Sequence, residues 1–395
     1  MQTAHAFDST PAGDLLTVSL ELAKRNWKLA LQCDKQPRPA VHCAREESPA
    51  AQIEATVSLI EAKKRKWQLA EPVRVVVLYE AGQDGFWIYR ALEQRGYEVV
   101  VADPASIPVE RQARRAKTDR LDALRLLSCL RGWLRGERDR LRAIRVPTPE
   151  AEALRHMARE RGQLQKEIGQ HRDRISKELC TVGRSDIEVD ASFAQRLEQG
   201  QIKCHDGAPL PEPLLERMRR ECERLALARA QFRQLETILS KQLPEPVAQG
   251  VAALQRLRGI GPVSAQRLML ELFWRNFNNR REVGSCVGLV PQPYDSGQSR
   301  VDQGISKQGN RRVRALLIEM AWLWLKHQPH SKLAHWYYDR IGTNVQPDRG
   351  KRLRRIAVVA VARRLVIALW RYLKDGVVPE GATLGIERGA RSRAA

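Results

Sequence analysis

Val73-Arg-Val-Val-Val-Leu-Tyr-Glu80 is nearly continuous in apolar, mostly β-branched residues. That is the composition of a strand buried on both faces of a sheet. Ala81-Gly82 closes it, and a helical pattern follows through Arg95. Glu98-Val-Val-Val-Ala102 repeats the buried-strand composition and is stopped by Asp103-Pro104. Upstream, Leu15 to Leu22 and Trp27 to Cys33 read as short strands separated by Ala23-Lys-Arg-Asn26, and Ala40 to Ala44 fits a third. Pro49 to Ala70 carries a helical pattern ending in a basic patch at Lys63 to Lys66, and Lys117 to Leu134 is helical. Antiparallel strands, a helix, then strand, helix, strand, helix predict an α/β domain around one mixed sheet, spanning about residues 15–145.

Beyond it the pattern is helical. Pro149 to about Leu179 is a long charged helix with Leu154, Met157, Leu164, Ile168 and Ile175 at helical spacing, and Leu214 to Leu243 is a second. Thr181 to Pro213, between them, is broken by Gly, Asp and Pro. The pair predicts an antiparallel or coiled-coil arm over 146–245, whose plainest reading is a spacer or dimer contact. From about 250 to 375 the sequence predicts an all-helical domain. Within it, Leu257-Arg-Gly-Ile-Gly-Pro-Val-Ser-Ala265 has the form of a helix–hairpin–helix element, in which Gly259 and Gly261 would expose backbone N–H groups to a phosphate. Residues 376–395 read as a disordered basic tail.

Charge narrows the function. The 395 residues carry 68 Lys+Arg against 46 Asp+Glu, a net +22, which favours a large polyanionic partner. Arg300 to Tyr372 alone holds 16 basic and 4 acidic residues. No apolar run approaches the roughly 20 residues of a spanning helix; Ile356 to Leu373 comes closest and is interrupted by Arg363, Arg364 and Arg371. The seven cysteines form no C-x-x-C pair, which argues for free thiols and against structural zinc. With no signal-peptide pattern at the N-terminus, a cytoplasmic, nucleic-acid-facing protein is expected.

Two stretches carry candidate chemistry. In Val290 to Arg314, Pro291 to Gln298 is a loop by composition, and a helix begins after Gly309-Asn310. Arg311, Arg312 and Arg314 crowd its first turn, where the helix already has positive partial charge. A polyanion against that end would relieve the conflict, and a solvated basic helix after a serine turn is the alternative. The second stretch is acidic. Glu21 lies within the first strand, Glu80 ends the central one, and Asp119 and Asp122 share one face of a helix at i,i+3. Carboxylates converging from strand ends and a neighbouring helix suit Mg²⁺, and two such ions can serve phosphodiester chemistry. Each carboxylate alone is more often a salt-bridge partner than a metal ligand, and Arg111 to Arg145 holds 12 basic residues against 4 acidic ones.

The ordered series of strand–Glu21, strand–Glu80-Ala-Gly, Lys117-Thr-Asp-Arg-Leu-Asp-Ala123, Gly259-Ile-Gly, Gly288-Leu-Val-Pro, Ser296-Gly297 and Ile305-Ser-Lys-Gln-Gly-Asn310 resembles the DEDD insertion-sequence transposases, over about residues 15–330. These are bridge-RNA-guided recombinases with a RuvC-like N-terminal domain and a serine-bearing C-terminal domain. The resemblance implies an RNase H-like fold for the mixed sheet. It implies Glu21, Glu80, Asp119 and Asp122 as Mg²⁺ ligands, with Glu21 standing where the family usually has Asp. Ser296 would be the nucleophile, leaving a covalent 5′-phosphoserine link. It further implies a structured guide RNA, donor and target DNA as partners, and a dimer or tetramer. Lys117, Arg120, Gly259, Gly261, Lys307, Asn310, Arg311, Arg312 and Arg314 are the expected nucleic-acid contacts. A water-using nuclease of the Holliday-junction type and a non-catalytic DNA- or RNA-binding protein are the rival readings.

Overall fold

The computed structural model describes residues 13–108, 118–296, 299–342 and 347–385, with the side chains of 294–302 and 347–349 outside the description. Two compact units divide the chain, the first comprising 1–147, 275–317 and 359–367 and the second 148–274, 318–358 and 368–395.

The first unit is built on a five-stranded mixed sheet. Its strands are β1 (Leu15–Glu21), β2 (Asn26–Cys33), β3 (Ala40–Arg45), β4 (Arg74–Glu80) and β5 (Glu98–Ala102), in the order β3-β2-β1-β4-β5. β2 is antiparallel to both β1 and β3, whereas β1, β4 and β5 run parallel. The strand-rich and β-branched stretches of the sequence therefore form the predicted mixed sheet. Val75 to Tyr79 are all buried, as an inner strand covered on both faces requires.

Three helices cover the sheet: α1 (Pro49–Lys66), α2 (Trp87–Glu93) and α3 (Asp119–Leu134). Ser48 caps α1 by accepting from the Ala51 N–H, with Pro49 at the first helical position, where its missing N–H costs nothing. Strand alternation sorts the faces. Val76, Leu78, Val100 and Ala102 pack with Leu126, Cys129, Leu130 and Trp133 of α3. Trp27 lies on the opposite face from Lys28 and Ala30 and meets Trp87 of α2, ring centroids 5.9 Å apart. Two buried hydroxyls on the α3 face are satisfied. Ser19 Oγ donates to the Ala123 carbonyl at 2.6 Å, and Thr17 Oγ1 donates to the Gln32 carbonyl at 2.8 Å. The first of these ties the start of α3 to the end of β1.

The second unit opens with α4 (Pro149–Thr181), followed by α5 (Phe193–Glu198) and α6 (Glu212–Lys241). Helices α4 and α6 run antiparallel, because Leu154 meets Leu239, Leu164 meets Leu235 and Ala228, and Ile175 lies with Met218. The broken stretch between them is folded. Val189, Phe193, Leu197, Ile202 and Leu210 pack onto Ile175, Leu179, Met218 and Leu225. Then come α7 (Glu245–Gln255) and α8 (Pro262–Glu271) in this unit, and α9 (Arg280–Cys286) in the first.

Two expectations need correction here. The C-terminal region is not all-helical: Pro291–Ser296 and Ser299–Ile305 form an antiparallel two-stranded ribbon, β6 and β7. Its prolines and polar residues hide the pattern, yet in a two-stranded ribbon both strands are edges, where proline is tolerated; the register shifts between Pro291 and Pro293. The chain ends with α10 (Arg311–His327), α11 (Lys332–Ile341) and α12 (Pro347–Asp375). Second, residues 376–385 are folded rather than a disordered tail. Lys332 pairs with Glu380 at 2.7 Å, the Arg258 N–H donates to the Thr383 carbonyl at 3.2 Å, and the Gly385 N–H donates to the Arg256 carbonyl at 2.6 Å. Backbone pairing holds this segment despite its weak hydrophobicity. Residues 386–395 lie outside the described set.

No described helix is long and apolar enough to cross a membrane, and the seven cysteines are free thiols.

Candidate active site

Glu21 and Glu80 are the last residues of two neighbouring parallel strands. The register pairs Leu20 with Tyr79, so the two glutamates occupy the next rung, with backbones about 4.8 Å apart by the usual strand spacing. Alternation places Thr17, Ser19 and Glu21, like Val76, Leu78 and Glu80, on the face covered by α3. That helix starts over the same edge. Thr118 caps it by accepting from the Leu121 N–H at 3.3 Å, and Asp119 and Asp122 fall in its first turn. Asp122 adjoins Ala123, whose carbonyl holds Ser19. The fold thus brings all four sequence-predicted carboxylates to one edge of the sheet.

Their side chains are not closed around a common point. Among the described residues, no three His, Cys, Asp or Glu side chains are grouped tightly enough to hold a metal ion. Asp122 is engaged by Arg125 one turn along α3, while Asp119 and Glu80 are exposed and Glu21 is half-buried. The two aspartates also complement the positive end of α3. As a donor set the four fit a hard divalent cation: all are oxygen ligands on rigid strand and helix ends. Arg125 competes with a cation for Asp122. Sequence reasoning missed Lys28, which is paired opposite Glu21 across the β1–β2 ladder and so shares its face about 5 Å away. Only the register reveals it.

A second arrangement joins two separate sequence motifs of the same unit. Gly288 and Gly309 both have left-handed backbones, φ +66° and +80°. A Cβ on Gly288 would lie 1.9 Å from the Gln308 carbonyl oxygen, and one on Gly309 would lie 2.1 Å from that of Cys286. Between them the Asn310 N–H donates to Cys286 O at 2.9 Å, the Lys307 N–H to Gly288 O at 3.1 Å, and the Ser306 N–H to Val290 O at 2.9 Å. Gly288-Leu-Val-Pro and Ser306-Lys-Gln-Gly-Asn are therefore halves of one backbone knot at the base of the β6–β7 ribbon.

The cations divide accordingly. Arg314, expected among the phosphate contacts, donates through Nη1 to the carbonyls of Val287 at 3.0 Å and Gln308 at 3.2 Å. Burial, and then the charge of Arg311, push its pKa below the ordinary guanidinium value. Asn310 is the cap of α10, its Oδ1 accepting from the Arg312 and Val313 N–H groups at 3.1 and 3.2 Å. The expected anion site at that helix end is thus partly filled by the chain's own amide. Arg311, Arg312 and Lys307 are exposed, Lys307 with φ +56°, and so is Arg120 at the start of α3.

Ser296 is the last residue of β6, paired with Ser299 at the tip of the ribbon. Its side chain, with Gly297 and Lys117, lies outside the described residues. In the second unit, α7, the Gly259-Ile-Gly261 turn and α8 form the expected helical hairpin. Gly259 has φ +93°, and a Cβ there would meet His327 Cβ at 2.9 Å. Gly261, the residue before α8, has an ordinary φ and open space beside it.

One buried residue has in the sequence only the look of a strand stop. Asp103, 4% exposed, accepts from the Ala105 N–H at 3.2 Å and from Arg275 at 3.1 Å, with Arg142 at 3.7 Å. Arg142 also donates to Ser285 Oγ at 3.4 Å. This fastens the segment beginning at Arg275 to the end of β5, within the same unit as the carboxylates. Its signal in sequence, an Asp before Pro, is that of any turn.

Comparison with known proteins agrees with the order of the motifs. The DEDD_Tnp_IS110 transposase profile matches residues 45–182, and that of the transposase IS116/IS110/IS902 family matches residues 251–335. "Putative transposase y4rJ" of Sinorhizobium fredii is 38% identical over 379 residues, 93% of this chain and 94% of that protein. The chain belongs to the IS116/IS110/IS902 transposase family. A more distant relative is the transposase for insertion sequence element IS1533 of Leptospira borgpetersenii, 26% identical over 257 residues, 62% of this chain and 69% of that one. In this transposase the DEDD match includes Glu80, Asp119 and Asp122 but begins after Glu21. The second match begins within α7 and takes in the rest of the helical hairpin, both halves of the knot and Ser296.

Proposed function

We propose that this transposase excises and inserts a mobile DNA element through Ser296, assisted by the carboxylates at the sheet edge, under the direction of a structured guide RNA. The observation that carries the reading is the parallel register of β1 and β4. It sets Glu21 beside Glu80 beneath the first turn of α3, in the same compact unit as the Ser296 ribbon. The strand order β3-β2-β1-β4-β5 supports an RNase H-like, RuvC-like assignment for residues 15–145, with 146–245 as a helical arm and 250–375 as the transposase segment.

In the proposed chemistry, Ser296 Oγ attacks a backbone phosphorus and loses its proton. The P–O3′ bond breaks, and a free 3′-hydroxyl and a 5′-phosphoserine result. Attack by the 3′-hydroxyl of another strand then reverses the step, reseals the backbone and regenerates the serine. No net hydrolysis occurs. Glu21, Glu80, Asp119 and Asp122 would hold divalent Mg²⁺, which when bound supplies charge neutralisation at the phosphate oxygens. Exposed Lys307, Arg311 and Arg312 position the DNA backbone, and Arg314 keeps the knot beneath them in shape. Guide RNA is supported by the large cationic excess. A dimer or tetramer follows from the several strand cuts that one exchange must hold together.

The test is denaturing electrophoresis of labelled donor DNA after incubation with the protein, guide RNA and Mg²⁺. A covalent protein–DNA band is expected for wild type and for Ser299→Ala and Ser306→Ala, and none for Ser296→Ala. A band surviving in Ser296→Ala would show another nucleophile. Cleavage without any adduct, even on a nicked substrate that traps one, would favour the water-using nuclease.

A further inference from the structure

Far along the sequence from the carboxylates, the parts of α10, α11 and α12 that belong to the second unit carry exposed aromatic and cationic side chains that the chemistry above does not use. Trp322 on α10 and Tyr338 on α11 are 45% and 53% exposed, unusual for rings of that size. Tyr337, by contrast, is 3% exposed and stands between them. It meets Trp322 edge-on at 6.0 Å and Tyr338 edge-on at 5.4 Å, both at 79°. One buried ring thus fixes two exposed ones, a pre-organised pair held by preferred edge-to-face contacts.

The start of α12 supplies positive charge in the same unit. Burial raises the Tyr337 pKa, and the charge of Arg354 opposes it. Arg354 belongs to the exposed run Lys351-Arg352-Leu353-Arg354-Arg355, in which, among the described residues, none of the four cations makes an ion pair. On the arm, by contrast, arginines such as Arg217, Arg219 and Arg224 are paired with glutamates. Glu319 and Asp339 also neighbour the rings in sequence and are exposed, but the cations outnumber them.

We infer that Trp322 and Tyr338 form a stacking platform for unpaired DNA bases, with the Lys351–Arg355 run holding the adjoining backbone. Charge selects a polyanion, and a second copy of this chain would bring the same four cations against the first. Exposed rings select accessible base faces, which duplex DNA keeps within its own stack. Base–aromatic stacking is tolerant of sequence, as suits an enzyme that must handle strands opened around a cut. The inference rests on the family's action on DNA but not on the identity of the nucleophile.

The experiment measures binding of the full chain to a labelled single-stranded oligothymidine, to an oligouridine and to a DNA duplex of equal length, with the oligomer mass followed by light scattering. Trp322→Ala with Tyr338→Ala should weaken single-strand binding by roughly 5- to 100-fold, the range of losing one stacked base, and leave duplex binding within about two-fold. Trp322→Phe with Tyr338→Phe should restore most of it, which a merely misfolded variant would not show. Arg354→Ala with Arg355→Ala should lower the single-strand salt slope by about 1.4. Equal losses for duplex and single strand would overturn the inference, as would a loss confined to RNA. A fall in oligomer mass with unchanged single-strand affinity would also overturn it, and would assign the surface to a second copy. Ser296-dependent adduct formation on a pre-nicked duplex is measured in parallel; its persistence in the platform variant separates failure here from failure of the proposed function.

Discussion

Replacing Gly309 by alanine isolates the knot that joins the two C-terminal motifs. The added Cβ would sit 2.1 Å from the Cys286 carbonyl oxygen, 2.8 Å from its carbon and 3.2 Å from the Ser285 carbonyl oxygen. All three are backbone atoms, so no side chain can rotate away. The residue also has φ +80°, which costs a non-glycine about 1–2 kcal/mol. Relieving the clash requires parting Cys286 O from the Asn310 N–H, now 2.9 Å away, and losing that bond adds about 1–3 kcal/mol. The expected local destabilisation is therefore about 2–5 kcal/mol. Gly304 is the control: φ is +78°, but among the described residues nothing lies within 4 Å of its would-be Cβ, so Gly304→Ala should cost only about 1–2 kcal/mol. Because the chain has two compact units, one global unfolding energy is poorly defined, and hydrogen exchange at Ser306, Lys307 and Asn310 is the better assay. Gly309→Ala should accelerate exchange there by roughly 30-fold to a few thousand-fold, and adduct formation at Ser296 should fall with it. Equal exchange in the two variants would refute the claim that close backbone approach, rather than φ alone, demands glycine at 309.

Other perturbations test separate parts. Arg125→Ala releases Asp122 from its partner and should tighten Mg²⁺ binding, seen as a larger Mg²⁺-induced rise in melting temperature; an unchanged Mg²⁺ response would remove Arg125 as the competitor. Arg311→Ala with Arg312→Ala should lower the salt slope of duplex binding by about 1.8, across sequences alike, and an unaltered slope would take both from the DNA. Glu221 is 5% exposed, and burial alone would raise its pKa. Hydrogen bonds from His171 at 2.6 Å and Arg174 at 3.3 Å outweigh that and hold it below the ordinary 4.5. A lowered carboxylate contributes stability present above about pH 4.5 and lost as pH falls through the folded value. Glu221→Gln should therefore melt below wild type at pH 7 and close the gap towards pH 3; a gap independent of pH would contradict the sign.

Much of the architecture was legible in the chain itself. Val73–Glu80 and Glu98–Ala102 announce buried strands by their β-branched runs, and α4 and α6 declare themselves by apolar residues at helical spacing. Such signals are local, repeated over many residues, and little altered by what packs against them. The family motifs were legible for the same reason, each being a short contiguous string. Tertiary structure decided what depends on register and close approach. Glu21 and Glu80 become neighbours only because β1 and β4 pair in parallel with Leu20 opposite Tyr79, and Lys28 joins their face only through the antiparallel ladder. Arg314 has the same charge as Arg311 and Arg312, yet its guanidinium closes on two carbonyls, because the knot folds Val287 and Gln308 beneath it. The β6–β7 ribbon was hidden because Pro-Gln-Pro-Tyr-Asp-Ser has no strand periodicity; hydrogen bonding between its two halves makes it a strand. Residues 376–385 are likewise held by backbone bonds to Arg256 and Arg258, whose partners side-chain composition does not encode.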